Sequence, residues 1–147
     1  FVDLVPDSID AIREVLLFRI LIESEFARIA AKQRDEHDVQ MIEASLAGMA
    51  GEIETGGIGL KWENDFHDAV AASTHNSVSR AVLKLLKEIL SISRKSTLIR
   101  EDQPTKTLRD HRGIFEAIKK GQADLAADRM RKHLDQALNN LNQTGPL

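Results

Sequence analysis

Residues 107–141, TLRDHRGIFEAIKKGQADLAADRMRKHLDQALNNL, decide the fold. Gly121-Gln122 divides the stretch into two helix-length halves, about Thr107 to Lys120 and Ala123 to Leu141, with apolar residues at helical spacing. Ile114 and Ile118 share the face of His111, while Ala126, Met130, Ala137 and Leu141 share the face of His133. Two such halves fold back on each other as an αα-hairpin. His111 lies ten residues before Gly121 and His133 eleven after Gln122. At ~1.5 Å rise per residue both stand about 15 Å from the turn, at nearly the same height, so the two imidazoles can face one another. Both point into apolar stripes and are expected to be buried. The alanines on the second stripe carry little apolar area and leave room for a cavity.

Working outward, the only prolines are at 6, 104 and 146, and between the first two the apolar residues keep helical spacing. A first helix is expected behind Asp7 or Ser8 as N-cap, with Pro6 ahead of it, running to about Gln33. A second covers about Asp35 to Glu54 and stops at Gly56-Gly57. A third spans about Leu60 to Ser73. Asn76 is the expected N-cap of a long fourth helix whose stripe of Val78, Val82, Leu85, Leu86, Ile89 and Ile92 must face something apolar. Arg100 to Pro104 reads as a loop. The fold class is therefore all-α, an antiparallel bundle of about six helices in a single domain over residues 1–147.

A chain of 147 residues can bury roughly 70% of the surface its unfolded form exposes, enough for a real core. Twenty Lys and Arg against 23 Asp and Glu give a net charge of -3, which supplies no excess positive field for gripping a phosphate backbone. With no cysteine, any metal must use nitrogen and oxygen ligands, and a reducing cytosol fits. The longest apolar run, Val15 to Ile22, is interrupted by Arg19 and falls short of the ~20 residues a membrane span needs. A soluble cytoplasmic protein without a membrane partner is the expectation. Phe1 in place of Met reads as a piece of a longer or processed polypeptide.

On the third helix Glu63 and His67 are four residues apart and project from one face, the spacing at which a helix offers two ligands to one ion. Taken singly, each histidine of this chain is more often a core or surface residue than a ligand. Three of them with a carboxylate, two matched in hairpin height and two at i,i+4, make a concrete metal site. Such a set suits zinc first, with nickel, manganese, cobalt or iron also compatible, and leaves positions open on a larger coordination shell. His37, in an acidic run, and His75, in the loop before Asn76, read as surface residues. Arg19 sits in a stretch apolar on all sides, and a buried guanidinium requires a charged partner. Two partners are open: Glu23, one turn along the same helix, or a ligand carboxylate held at the metal cavity.

The same residues carry a family likeness. Leu17-Phe-Arg-Ile-Leu-Ile-Glu23, followed by Phe26-Ala-Arg-Ile-Ala-Ala, resembles the first helix of the FadR C-terminal (FCD) domain of bacterial GntR-superfamily transcription regulators. Glu63-Asn-Asp-Phe-His67 with Asn76 resembles that family's Asp-x-x-x-His segment and following Asn. Asp110-His111, Ala117-Ile118, Gly121, Ala126, Met130 and His133-Leu134 match its closing hairpin. The likeness runs from about residue 8 to residue 140. It implies metal ligands Glu63, His67, His111 and His133, and an effector pocket lined by Arg19 and Asn76. It also implies a winged helix-turn-helix DNA-binding domain upstream of this chain, a homodimer, operator DNA bound only through that upstream domain, and a small carboxylate as effector. This chain has Glu63 where the family usually has Asp, so its carboxylate reaches one methylene further. It also has Gln122 where the family usually has Asp after the hairpin glycine.

A regulatory, non-enzymatic role is the expectation that follows, with no catalytic residues. The residues alone also admit a helical metal-dependent hydrolase, in which an open metal position activates water. His67-Asp68 forms the pair seen in HD-type phosphohydrolases. That chemistry wants a second ligand set and a positioned base, and no Glu-x-x-His or His-Glu-x-x-His occurs in the chain. A purely structural helical dimerisation module is the third reading.

Overall fold

The computed structural model describes residues 8–143, and among these there are seven α-helices and no strand. The first, α1 (Ile9–Gln33), starts behind Ser8, whose hydroxyl accepts the Ala11 N–H. The alternative cap Asp7, with Pro6 and Pro146, lies outside the described residues. Next, α2 (Glu36–Glu54) opens with a reciprocal capping box in which the Asp35 and Asp38 side chains accept each other's backbone N–H. It ends with Gly56 in left-handed backbone at φ 87°. Gly59, also left-handed at φ 77°, leads into α3 (Leu60–Ala72). Asn76 caps α4 (Ser77–Leu85), and after Leu86 the chain continues as α5 (Lys87–Leu98). The closing pair is α6 (Gln103–Lys119) and α7 (Ala123–Gln143).

Two expectations are corrected here. The long fourth helix is interrupted at Leu86, and nothing in the local sequence, which has neither glycine nor proline, accounts for the break. Its inward face also differs from the expected stripe. Leu83 of α4 and Leu90, Ser93, Arg94 and Leu98 of α5 are buried, whereas Val78 and Leu85 are exposed at 67% and 63%. Secondly, the expected loop at 100–104 is shorter. Pro104 lies in the first turn of α6, where its missing N–H costs no helical hydrogen bond, and Asp102 absorbs the chain reversal at φ 59°.

The closing hairpin forms as expected. Gly121 (φ 72°) donates to the Ile118 carbonyl and Gln122 to the Ala117 carbonyl, the paired bonds of a Schellman ending that satisfy the last carbonyls of α6. Along the length of α7 runs α1, in the opposite direction: Arg13 near its start bonds Asn142, and Arg28 near its end bonds Asp124. Alanines 27, 30 and 31 of α1 and 126 of α7 are fully buried, and such small side chains allow these helices to approach closely. The main core joins Ile42, Leu46 and Met49 of α2, Phe66 and Val70 of α3, Leu98 of α5 and Ile114, Phe115, Ile118, Met130 and Leu134 of the hairpin. On α3 the Trp62 indole lies directly over Gly48 of α2, where any added Cβ would collide with the ring. That close approach fixes the rotation of α3 and, with it, the inward direction of Glu63, Phe66 and His67, all 4% exposed or less.

Candidate metal centre

The i,i+4 pair on α3 meets the hairpin histidines inside the bundle. His67 Nε2 lies 3.2 Å from Glu63 Oε1, His111 Nε2 lies 3.2 Å from Glu63 Oε2, and the Nε2 atoms of His111 and His133 are 3.3 Å apart. All four side chains are buried and each offers one ligand atom within 4.8 Å of the others. Bonds of about 2.0–2.1 Å at tetrahedral angles would put neighbouring donor atoms about 3.3–3.4 Å apart. The three close spacings match that figure. The Phe66 ring stacks on His111, with centroids 3.8 Å apart at 9°, and holds its plane. The donor set of three imidazoles and one carboxylate therefore fits a divalent transition metal.

The electrostatics favour the same use. Burial alone would raise the Glu63 carboxyl, but the imidazoles of His111, His67 and His133 outweigh it and hold the group well below the carboxylate range. His111 is pushed well below the usual histidine range, first by burial and then, against the pull of Glu63, by the neighbouring His133 and His67. The charge on Glu63 and the protons on the imidazoles thus depend on each other, and a metal ion in place of those protons would leave Glu63 ionised and the imidazoles neutral, the state in which all are ligands. Behind the donors, His133 Nδ1 lies 3.1 Å from Asp110 Oδ2, and that contact helps keep Asp110 ionised despite its partial burial. His67 Nδ1 lies 2.8 Å from Glu23 Oε1. Carboxylates on the far nitrogens of metal-binding histidines fix the ring tautomer and raise ligand basicity.

Arg19 meets the first of its two expected partners, Glu23. Its Nε donates to Glu23 Oε2 at 2.6 Å, and its Nη2 points at the cluster, 3.4 Å from His67 Nε2. Sequence reasoning missed a second buried guanidinium, Arg94 of α5. It donates to Asn64 Oδ1 at 2.9 Å and to Glu23 Oε1 at 3.2 Å, while its Nε has no hydrogen-bond partner. Burial lowers the Arg94 pKa despite the nearby Glu23. Burial opposes the ionised form of Glu23, and Arg19, His67 and Arg94 overcome it. Asn76 is placed elsewhere. It is exposed, and its side-chain oxygen is engaged by the Val78 and Ser79 N–H groups as the α4 cap. Asn64, not Asn76, is the asparagine that meets a buried arginine. Asp68, which completes the His-Asp dipeptide, is exposed while His67 is buried, so the pair does not converge. His37 is exposed, and His75 bonds Asp38 at 2.6 Å beside the α2 capping box.

A cleft of about 410 Å³ reaches His133, alone of the four, and is lined by Asp110 on its Nδ1 side together with Arg109, Arg129 and Lys132. A larger one, about 540 Å³ and lined by Asp35, Asp38, Asp65, Asp68 and Trp62, touches none of the four ligands. The smaller cleft is the one relevant to the centre.

The sequence matches the FCD domain family over residues 14–136. The chain belongs to that family. It is 30% identical over 129 residues to the HTH-type transcriptional regulator LutR of Bacillus subtilis, covering 84% of this chain and 58% of the relative. It is 27% identical over 122 residues to the galactonate operon transcriptional repressor of Escherichia coli, covering 82% and 52%. Among solved structures it resembles Streptococcus agalactiae GntR, with a TM-score of 0.76 at 18% identity over 88% of this chain and 58% of that one. The chain thus spans a little over half the length of these proteins. That likeness agrees with the all-helical fold, and among the described residues no helix is long and apolar enough to cross a membrane.

Proposed function

We propose that this FCD domain senses a small carboxylate at a metal held by Glu63, His67, His111 and His133, as the regulatory part of a homodimeric cytoplasmic transcription regulator. The observation that carries the reading is the 3.2–3.3 Å spacing of neighbouring donor atoms in a buried set of three imidazoles and one carboxylate. Operator DNA is then bound by a domain outside this chain, because a net charge of -3 gives the helical part no phosphate-binding field. The role is regulatory rather than catalytic.

Charge selects the ligand class. Arg19 and Arg94 are balanced by Glu23 and Glu63, all buried to within 4% exposure. A divalent ion, with zinc the first candidate, would supply a positive centre that takes an oxygen ligand by expanding its shell beyond the four protein donors. The buried balance then favours an anion, and the Arg19 guanidinium beside His67 is placed to take the ligand's remaining oxygen. The cationic rim of the His133 cleft favours entry of the same charge. The E. coli relative is named for the galactonate operon, and galactonate is a carboxylate.

A second copy is favoured by the surface of α1 and α4. Leu17, Phe18 and Leu21 stand 39–74% exposed on α1, between the exposed Glu14 and Glu25. On α4 the exposed Val78 and Leu85 accompany Arg80 and Lys84. Apolar patches flanked by opposite charges suit a two-fold arrangement in which each α1 meets the partner's α4.

The test is elemental analysis of protein purified without chelator, followed by thermal shifts with a panel of small carboxylates and neutral sugars. About one metal per chain and carboxylate shifts that vanish on chelation are expected. Metal-free protein, or a preference for neutral ligands, overturns the reading. Leu21→Glu should convert the dimer to monomer in sedimentation, and a monomeric parent would refute the dimer.

A further inference from the structure

We infer that Glu23 is the positioning residue that couples the metal centre to the guanidinium pair, so that occupancy of one is felt at the other. The inference rests on the metal reading above and adds to it the route by which a ligand acts. A single carboxylate accepts hydrogen bonds from arginines on two helices and lies beside His67 Nδ1 on a third, a ring nitrogen with no formed hydrogen bond. Its Oε2 takes Arg19 Nε of α1 at 2.6 Å, and its Oε1 stands 2.8 Å from His67 Nδ1 of α3 and 3.2 Å from Arg94 Nη2 of α5. Glu23 is 2% exposed, so water cannot take over any of these contacts.

The three claims on Glu23 compete. When the His67 Nε2 lone pair is on an ion, the ring proton must sit on Nδ1, where Glu23 Oε1 is the acceptor within reach. A carboxylate arriving at Arg19 or at the unsatisfied Nε of Arg94 shares the positive charge that otherwise draws on Glu23. More of the Glu23 charge is then available to His67, which strengthens it as a ligand. Thermodynamic linkage makes this reciprocal: the ligand tightens metal by the factor by which metal tightens ligand.

Asp110 supplies the internal control. It stands behind His133 as Glu23 stands behind His67, but its carboxylate is part-exposed, and besides His133 it pairs with the exposed Arg109 rather than with a buried arginine. It should support metal binding without carrying the coupling.

The experiment is a Co²⁺ titration followed by visible absorption against a competing chelator, with and without saturating acetate. In the wild type, acetate should tighten Co²⁺ at least about 5-fold. Glu23→Gln should weaken Co²⁺ about 10–100-fold and cut the acetate factor to the part that a direct bond between acetate and the ion supplies. Asp110→Asn should weaken Co²⁺ in the same range and keep the acetate factor. A merely structural Glu23 would lower the melting temperature and leave that factor intact. Should Glu23→Gln fail to fold, Glu23→Asp keeps the charge but withdraws it by a methylene, and a reduced factor is expected there too. The coupling is overturned by a wild type that binds Co²⁺ without any acetate effect. It is equally overturned by a Glu23 variant with the wild-type factor, or by Asp110→Asn losing the factor as fully as the Glu23 variant. A wild type that binds no Co²⁺ instead overturns the metal reading beneath it.

Discussion

Among the described residues, two clusters bring three or more histidine and carboxylate ligand atoms within 4.8 Å of one another: Glu63, His67, His111 and His133, and Asp35, Asp38 and His75. They differ in what else the atoms are doing. In the second group both aspartates are already committed, each accepting the other's backbone N–H at the start of α2, and His75 closes on Asp38 from the α3–α4 turn. Asp35 and His75 are exposed. In the first group all four residues are buried and no backbone donor bonds the Glu63 carboxylate, so its nearest partners are the imidazoles themselves. Proximity alone therefore does not make a ligand set. Burial without another employer does.

The sharpest way to break that contrast is to remove one residue from each group. His111→Ala and His133→Ala should each lose bound metal almost entirely, from about one equivalent to near zero by elemental analysis, because three protein donors must then hold an ion in a site opened by a missing ring. His75→Ala should keep the full equivalent. Equal metal content in all three variants would erase the distinction.

Stability should divide the same way. Arg94→Ala empties the volume of a fully buried side chain and strips a donor from both Glu23 and Asn64. The loss should be about 3 kcal/mol in denaturant unfolding. The exposed Lys61–Asp65 pair at 2.5 Å is the comparison, and Lys61→Ala should cost about 0.5 kcal/mol or less. Similar costs would mean that burial does not govern these polar contacts.

Much of the buried centre was legible because its spacing is local. Glu63 and His67 lie one helical turn apart, and equal distances from the Gly121 turn match His111 to His133. The caps at Ser8, offered beside Asp7, and Asn76 were legible too, since capping needs only the next few residues. What stayed hidden is long-range. Arg94 sits in Ser-Ile-Ser-Arg-Lys-Ser, which reads as a polar surface stretch. Only the packing of α5 against α1 and α3 turns that residue toward Glu23, 71 positions away. The helix break at Leu86 hid the same fact, because one continuous period placed Val78 and Leu85 inward. Asn76 shows the converse: a family-implied pocket role and a capping role fell on one residue, and the structure uses its oxygen for the cap.

Acidification should separate the groups by sign as well as size. The folded protein resists protonating His111, held well below its ordinary 6.5 by burial. The unfolded chain accepts that proton as soon as pH falls below about 6.5. Stability of the metal-free protein is therefore fully present above that pH and declines below it, by at most about 1.4 kcal/mol per pH unit for one proton. Below about 4.5 the lowered Glu23 and Glu63 add to the loss in the same direction. Chemical unfolding between pH 7.5 and 5.0 tests this. His111→Gln should flatten the upper part of the slope, and an unchanged slope would put its origin elsewhere.

A modest effect, with none on metal, is expected at the capping group itself. Asp38 accepts the Asp35 N–H at 2.9 Å and the His75 ring at 2.6 Å, and it is buried. Asp38→Ala removes one half of the capping box and leaves His75 without that carboxylate. The cost should be about 1 kcal/mol, the ordinary worth of a helix cap. Asp38→Asn should recover part of it, since an amide oxygen can still accept the backbone N–H. Metal content and carboxylate-induced thermal shifts should not change in either variant, because no atom of this group reaches the four buried ligands. If Asp38→Ala instead lowered the bound metal while leaving stability intact, the second group would be a ligand set after all, and burial would lose its standing as the criterion that tells the two apart.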